Sequence, residues 1–207
     1  MSTVSIPDTP SQACARAIMG KNFLGIEEVR AGYGFSHTDE QRQLLSEIPF
    51  SDETLQRYKD THVLVAGAPL SVNEIRKIAG DDVFSRYTWY KREPFANDQK
   101  LSVRWYLLRK EPVPGSCGKK YEEQASPLTN EEVPFACEMT YMVILYSLTR
   151  GERLFQDVYV RCQDKLLVVE RIFVGHYDPD GLVVDSYGDF TGFDTLGLAS
   201  SVVPDKS

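Results

Sequence analysis

The chain has 207 residues, of which 42% are hydrophobic, and a formal net charge of −7. This size and composition predict a globular protein with one sizeable core, and the acidic balance argues against broad binding to nucleic acid or anionic membranes. No apolar run reaches the roughly 18 residues needed to cross a bilayer, and the first residues lack the pattern of a signal peptide. A cytoplasmic location is therefore expected.

The charge is unevenly distributed along the chain. Residues 85–120 contain nine Lys or Arg against three Asp or Glu, whereas residues 175–207 contain one against six. Opposite charges attract, so these two segments are predicted to pair with each other. The basic segment also keeps local nucleic-acid binding through residues 86–110 as a weaker alternative.

The first 60 residues are predicted to form a series of short helices after a flexible tail at residues 1–8. Thr9, Thr38 and Ser51 each stand where a side-chain oxygen can accept a hydrogen bond from the first turn of a helix. The segments that they open, together with one uncapped candidate, are 11–19, 23–31, 39–46 and 52–58. Residues 9–60 therefore form a predicted helical subregion.

The middle of the chain alternates between the two kinds of element. Residues 62–67 are predicted to form a buried strand, and Ser71 with Glu74 predicts a capped helix over 72–79. Alternating apolar residues predict a second strand over 101–110. Residues 111–128 are rich in proline and glycine and are predicted to form a long loop with one short helical turn.

The firmest prediction is a helix over 129–150 that forms the centre of the core. Thr129 and Glu132 fit a capping box, and Pro134 suits the first helical turn. Apolar residues then recur at spacings of three and four, which places them on one face of the helix. These residues are Val133, Cys137, Tyr141, Ile144, Leu145 and Leu148.

The C-terminal third is predicted to form a β-meander. Residues 155–162 and 165–177 read as strands, and the Asp-Pro-Asp-Gly turn at 178–181 leads into a third strand. We expect an α+β fold, residues 9–207, in which the long central helix packs on a mainly antiparallel sheet. That sheet would combine strand 101–110 with the meander, and the last 20 residues would return over the surface.

One face of this sheet is the predicted binding surface. Alternation along the strands places Arg104 with Tyr106, and Tyr159 with Arg161, on the side away from Trp105. Two arginines and two tyrosines on one face could hold a small anionic ligand or a protein. In the alternative interpretation, the N-terminal helices or the acidic C-terminal segment cover this face.

An enzymatic alternative involves Glu138 and His176. Glu138 lies close to the apolar face of the central helix, where loss of solvent raises the pKa of a carboxylate. With His176 it could form an acid–base pair of the kind that small hydrolases use. No spacing of cysteine or histidine indicates a metal site, free thiols are expected, and no cofactor is expected.

Several phrases resemble those of a family of small bacterial proteins. They are EIPFSDETL, DTHVLVAGAPLS, RWYLLRKEPVPGS, EEVPFACE, GERLFQDVYVRCQD and GLASS, which fall within residues 20–201. The resemblance implies a single domain and a bacterial setting. That family has no assigned activity, so the resemblance implies no role for any residue.

The sequence therefore favours a cytoplasmic, non-enzymatic binding or interaction protein. Its predicted partner is a protein or a small anionic ligand, and a homo-oligomer is compatible with the sequence. The alternative is a hydrolase-type enzyme with a pocket near Glu138 and His176. Neither nucleic acid nor a membrane is the expected partner.

Overall fold

The computed structural model describes residues 6–205, and its elements confirm the predicted α+β class. The α-helices are α1 (Pro10–Met19), α2 (Ile26–Tyr33), α3 (Asp39–Leu44), α4 (Asp52–Tyr58), α5 (Val72–Ala79), α6 (Pro94–Asn97), α7 (Tyr121–Ala125) and α8 (Ala136–Arg150). The strands are β1 (Phe23–Leu24), β2 (His62–Ala66), β3 (Trp105–Arg109), β4 (Glu131–Glu132), β5 (Tyr159–Leu167), β6 (Glu170–Asp178), β7 (Gly181–Gly188), β8 (Leu196–Leu198) and β9 (Ser201–Val202).

The strands form two sheets, so the prediction of one shared sheet is wrong. The first sheet has the order β1-β2-β3-β9-β4, and the second has the order β7-β6-β5-β8. Strand β3 pairs with β2 along one edge and with β9 along the other. Both edges of β3 are therefore occupied, and the meander cannot extend its sheet.

The helix starts predicted after Thr9, Thr38, Ser51 and Ser71 are confirmed. The side chains of Thr9, Thr38 and Ser71 each accept a hydrogen bond from the backbone N–H three residues on. The side chain of that later residue accepts a second hydrogen bond from the backbone N–H of the capping residue. The segment at 23–31 was predicted as helix throughout, but it begins with β1. Phe23 and Leu24 pair in parallel with β2, and α2 starts only at Ile26.

The long helix is central as predicted, but it starts later. Residues 131–132 form β4 against β9, so the capping box of Thr129 and Glu132 does not form. Instead, Glu138 accepts a hydrogen bond from the Phe135 N–H at 2.9 Å, and Asp164 accepts one from the Ala136 N–H. Residues 131–132, which the sequence assigned to the first turn of the helix, therefore form a β-strand.

Helix α8 is buried on every side over its first three turns. Every residue from Ala136 to Tyr146 is buried. An all-round apolar helix requires neighbours on all faces. The tyrosine hydroxyls find backbone and side-chain partners: Tyr141 donates to the Ala66 carbonyl at 2.9 Å, and the Tyr146 hydroxyl lies 3.1 Å from Asn22 Oδ1.

The meander is confirmed, but its boundaries differ from the prediction. The segment 165–177 does not form one strand, because β5 ends at Leu167 and β6 starts at Glu170. The last 20 residues do not simply return over the surface. They supply β8, which is parallel to β5, and β9, which lies between β3 and β4, and all five of these strand residues are buried.

Part of the predicted tail at 1–8 lies outside the described residues. Within them, the Ile6 N–H donates to Glu27 at 3.1 Å, and Asp8 pairs with Arg16. The cysteines are free thiols, of which two are buried and two, Cys14 and Cys117, are not. None of the helices in the described part of the chain is long and apolar enough to span a membrane.

Candidate functional site

The predicted Arg/Tyr face does not exist as one surface. Arg104 directly precedes β3 and Tyr106 lies on it, in the first sheet, whereas Tyr159 and Arg161 lie on β5 in the second. Alternation along a strand places residues on a face, but it does not decide which strands become neighbours. The six candidate residues regroup into different sets.

Arg104, Tyr106 and Glu138 form one of these sets, the Arg104 cluster. The guanidinium lies 4.4 Å above the Tyr106 ring and 3.7 Å from Glu138. Glu132 approaches the same guanidinium at 3.6 Å. Burial raises the pKa of Glu138 despite the nearby charge of Arg104 and the Phe135 N–H. The guanidinium of Arg104 is therefore already engaged by two carboxylates of the chain itself, which opposes its use as a site for an anionic ligand.

Arg161 is completely buried and holds loops together. Its guanidinium donates to the Lys119 carbonyl and Gln124 on one side, at 3.1 and 2.9 Å. On the other side it donates to the carbonyls of Gly188 and Thr191. The C-terminal segment therefore covers Arg161, as the alternative interpretation expected, but it does so with carbonyl groups. Arg161 is a structural residue and is closed to an external ligand.

Glu138 lies at the start of α8, whereas His176 lies on β6, next to a residue that contacts the other end of the helix. Glu138 is in the first turn, whereas Tyr177, the neighbour of His176, has its hydroxyl 3.3 Å from Ser147 near the other end. Nine residues separate Glu138 from Ser147, which corresponds to about 14 Å along the helix axis. An acid–base pair must lie within hydrogen-bond reach of one reacting group. The structure does not bring these two residues together.

The second set lines a cleft of about 790 Å³, here called the aromatic cleft. It contains Tyr159 and His176, each of which the sequence had assigned to a different site. Its lining residues are Ser85, Arg86, Tyr87, Tyr159, Phe173, His176, Asp178, Asp180, Gly181, Val183 and Asp185. They come from the segment after α5, from the start of β5 and from the β6–β7 hairpin.

A β-bulge on β6 directs His176 toward Tyr159. The strand register shifts between Gly175 and Asp178, and both Gly175 and His176 have positive φ, at 150° and 47°. A Cβ at Gly175 would lie 2.3 Å from the Val158 carbonyl oxygen, so only glycine allows this close approach. The His176 ring consequently stacks on Tyr159, with centroids 5.3 Å apart and planes 21° apart.

A second glycine allows the remaining wall of the cleft to pack closely against the β6–β7 hairpin. Gly181 has a φ of 101°, and a Cβ there would lie 2.4 Å from the Phe84 carbonyl carbon. The Ser85 N–H donates to the Leu182 carbonyl at 2.9 Å. The segment 85–87 therefore rests directly on the hairpin and reaches the cleft, although it is some 70 residues away in sequence from Tyr159.

The cleft combines aromatic rings with carboxylates. His176 Nε2 lies 3.3 Å from the Asp178 carboxylate, and Phe173 packs edge-on against Tyr159 with centroids 4.9 Å apart. Burial raises the pKa of Tyr159, and the charges of Asp178 and Asp185 raise it further. Both carboxylates therefore act on the Tyr159 hydroxyl. Within residues 6–205, no group of three or more His, Cys, Asp or Glu is placed to hold a metal ion.

Sequence reasoning found two residues of the cleft and missed the others. Asp178 and Asp180 were assigned to a hairpin turn, and Tyr87 was given no role. The available signals were the many aromatic residues in 84–95 and the acidic turn. Nothing in the sequence indicated that the two segments meet.

Comparisons with models of protein families, with curated proteins and with solved structures found no match to this chain.

Proposed function

We propose that the protein is a cytoplasmic binding protein and that the aromatic cleft is its ligand site. The observation that carries the proposal is the stacked pair of Tyr159 and His176 on a β-bulge. A non-glycine residue at φ 47° is uncommon, and such backbone conformations concentrate at ligand and active sites. A volume of about 790 Å³ also suits a small ligand or one side chain of a partner.

A hydrolase remains the second candidate, now with His176 and Asp178 in place of the pair with Glu138. The 3.3 Å approach of these two side chains favours it, since a carboxylate can orient a histidine for general-base work. Ser85 lines the same cleft, but its hydroxyl has no hydrogen-bond partner among the residues described, His176 included. Without a joined nucleophile and base, binding is the better-supported function.

Backbone NMR during a fragment screen tests the binding proposal. The screen uses cationic, neutral and anionic fragments of similar size, and the readout is the set of amide signals that shift. We expect at least one class to shift the amides of residues 85–87, 159 and 173–185 together. Tyr159→Leu should abolish those shifts, whereas the control Arg104→Gln, in the separate Arg104 cluster, should keep them.

The opposite pattern would contradict the proposal. Fragments that shift only residues outside the cleft, or a library in which none shifts the cleft, would show that it is not a ligand site. Retention of binding in Tyr159→Leu would show that the stacked pair of Tyr159 and His176 is not needed for binding. A steady release of product from ester or amide fragments would favour the hydrolase.

A further inference from the structure

The carboxylates of the aromatic cleft have no lysine or arginine partner in the described part of the chain. Within residues 6–205, Asp178, Asp180 and Asp185 form no ion pair with lysine or arginine, and Asp178 pairs only with His176. Arg86 is the single lysine or arginine among the lining residues, and it is exposed. Three carboxylates against one guanidinium create a negative potential in the cleft, which attracts cations and repels anions.

The aromatic rings point to the same kind of ligand. The face of a tyrosine or phenylalanine ring carries negative charge density and attracts cations, most strongly when the cation is desolvated. Tyr159 is half-buried, Phe173 is buried, and Tyr87 stands at the rim, where it is 65% exposed. Rings of graded exposure allow a ligand to lose water progressively as it enters.

The cleft also contains an unsatisfied polar group. Ser85 is 5% exposed, yet its hydroxyl has no hydrogen-bond partner in the described part of the chain. Leaving a buried hydroxyl unpaired is unfavourable. The Ser85 hydroxyl oxygen is itself buried, so a ligand in the cleft can supply the missing partner only after the serine side chain rotates. This group is independent of the acidic residues and belongs to a residue that lines the same cleft.

The rings favour an organic cation over a metal ion. A metal requires several oxygen ligands converging on one point, and the cleft carboxylates do not converge in that way. His176 shows how a planar nitrogen-containing group fits the cleft: its ring stacks on Tyr159 while its Nε2 faces the Asp178 carboxylate. A guanidinium or alkylammonium group can make the same two kinds of contact in the cleft, one with an aromatic ring and one with a carboxylate.

We infer that the aromatic cleft binds an organic cation of the guanidinium or alkylammonium class, held between aromatic rings and the carboxylates of Asp178 and Asp185. This inference rests on the proposed function and names its ligand chemistry. It replaces the small anionic ligand that the sequence suggested. The cation can belong to a free small molecule or to an arginine or lysine side chain of a partner protein.

Calorimetric titration with matched probes tests the inference. N-acetyl-arginine amide carries the cation, N-acetyl-citrulline amide is its near-isosteric neutral counterpart, and N-acetyl-glutamate amide carries the opposite charge. We expect the arginine probe, or the corresponding trimethyl-lysine probe, to bind at least 10-fold more tightly than the citrulline probe. The glutamate probe should not bind. A glycine-flanked arginine tripeptide that binds as well as the arginine probe would indicate a protein side chain, whereas loss of binding would indicate a free cation.

Variants locate the effect in the cleft. Asp185→Asn should weaken binding of the arginine probe about 10-fold, and Arg86→Gln should strengthen it, because each changes the local charge by one. Tyr159→Phe should retain binding, since the ring remains, whereas Tyr159→Leu should lose it. Thermal unfolding of each variant confirms that the fold is intact.

The outcomes separate the inference from the proposed function. If neutral or anionic probes bind at the cleft more tightly than the cations, the ligand-site proposal stands and the cation inference is refuted. If cations bind but Asp185→Asn and Tyr159→Leu have no effect, the inference is also refuted. If no probe of any charge shifts the amides of the cleft, both proposals fail.

Discussion

The ion pair of Glu131 predicts a specific loss of stability. Glu131 lies on β4, where its carboxylate is 3.3 Å from Arg109 and 3.8 Å from His62, and its side chain is only 14% exposed. Burial opposes ionisation, but the nearby side chains of His62 and Ser200 and the charge of Arg109 outweigh it and lower the pKa of Glu131 to about 2. The network joins β2, β3 and β4 across the first sheet.

The size of the effect follows from linkage between ionisation and folding. The interval between the ordinary value of 4.5 and a pKa of about 2 corresponds to about 3 kcal/mol of stability. Because the folded-state pKa is lowered, this stability is present above pH 4.5 and is lost as pH falls toward 2. At pH 3 roughly 1–2 kcal/mol of it remains.

Glu131→Gln should remove this contribution. Urea unfolding at pH 7 should show a free energy of unfolding about 3 kcal/mol below that of the wild type, and the difference should shrink to roughly 1–2 kcal/mol at pH 3. Glu132→Gln is the matched control, because its side chain is 51% exposed beside Arg104 and should cost less than about 1 kcal/mol. Equal losses in the two variants, or a loss that does not change with pH, would refute the reasoning.

Three further predictions concern the core, the start of α8 and the bulge. Ile144→Ala removes a completely buried side chain, so its free energy of unfolding should fall by about 2–5 kcal/mol, and a loss below about 1 kcal/mol would show that α8 is peripheral. Glu138→Gln should reduce the pH dependence of stability. Burial raises the folded-state pKa of Glu138, so the wild type loses stability as pH rises above 4.5. Urea unfolding at pH 5 and pH 8 should therefore show a smaller decline in the free energy of unfolding for the variant than for the wild type. Gly175→Ala should lower the melting temperature and reduce ligand binding at the cleft, because its Cβ would meet the Val158 carbonyl at 2.3 Å, whereas the control Gly188→Ala, with its nearest neighbour at 3.6 Å, should change the melting temperature little.

The candidate site was only partly predictable from sequence. Tyr159 and His176 were chosen for sound local reasons, as a tyrosine on the outer side of a strand and a histidine at a strand end. The sequence assigned them to separate sites, whereas the structure stacks their rings at a β-bulge. The positive φ of Gly175 and His176, which produces this bulge, has no reliable sequence signal. The sequence placed Arg161 on an exposed face, but the structure buries it against backbone carbonyls. An arginine that is buried in this way cannot be distinguished in sequence from an exposed one.

The sequence by itself determined the local elements. A helix cap needs only residues three positions apart, so Thr9, Thr38 and Ser71 announce their helices within one short window. The turn at 178–181 is local for the same reason. Tertiary structure alone decided the rest. Pairing of 131–132 with β9 overrode a capping signal, and β2 and β9 together occupy both edges of β3, so the meander cannot join its sheet. Strand partners are chosen by contacts between residues far apart in the chain, and the aromatic cleft exists only after those contacts have formed.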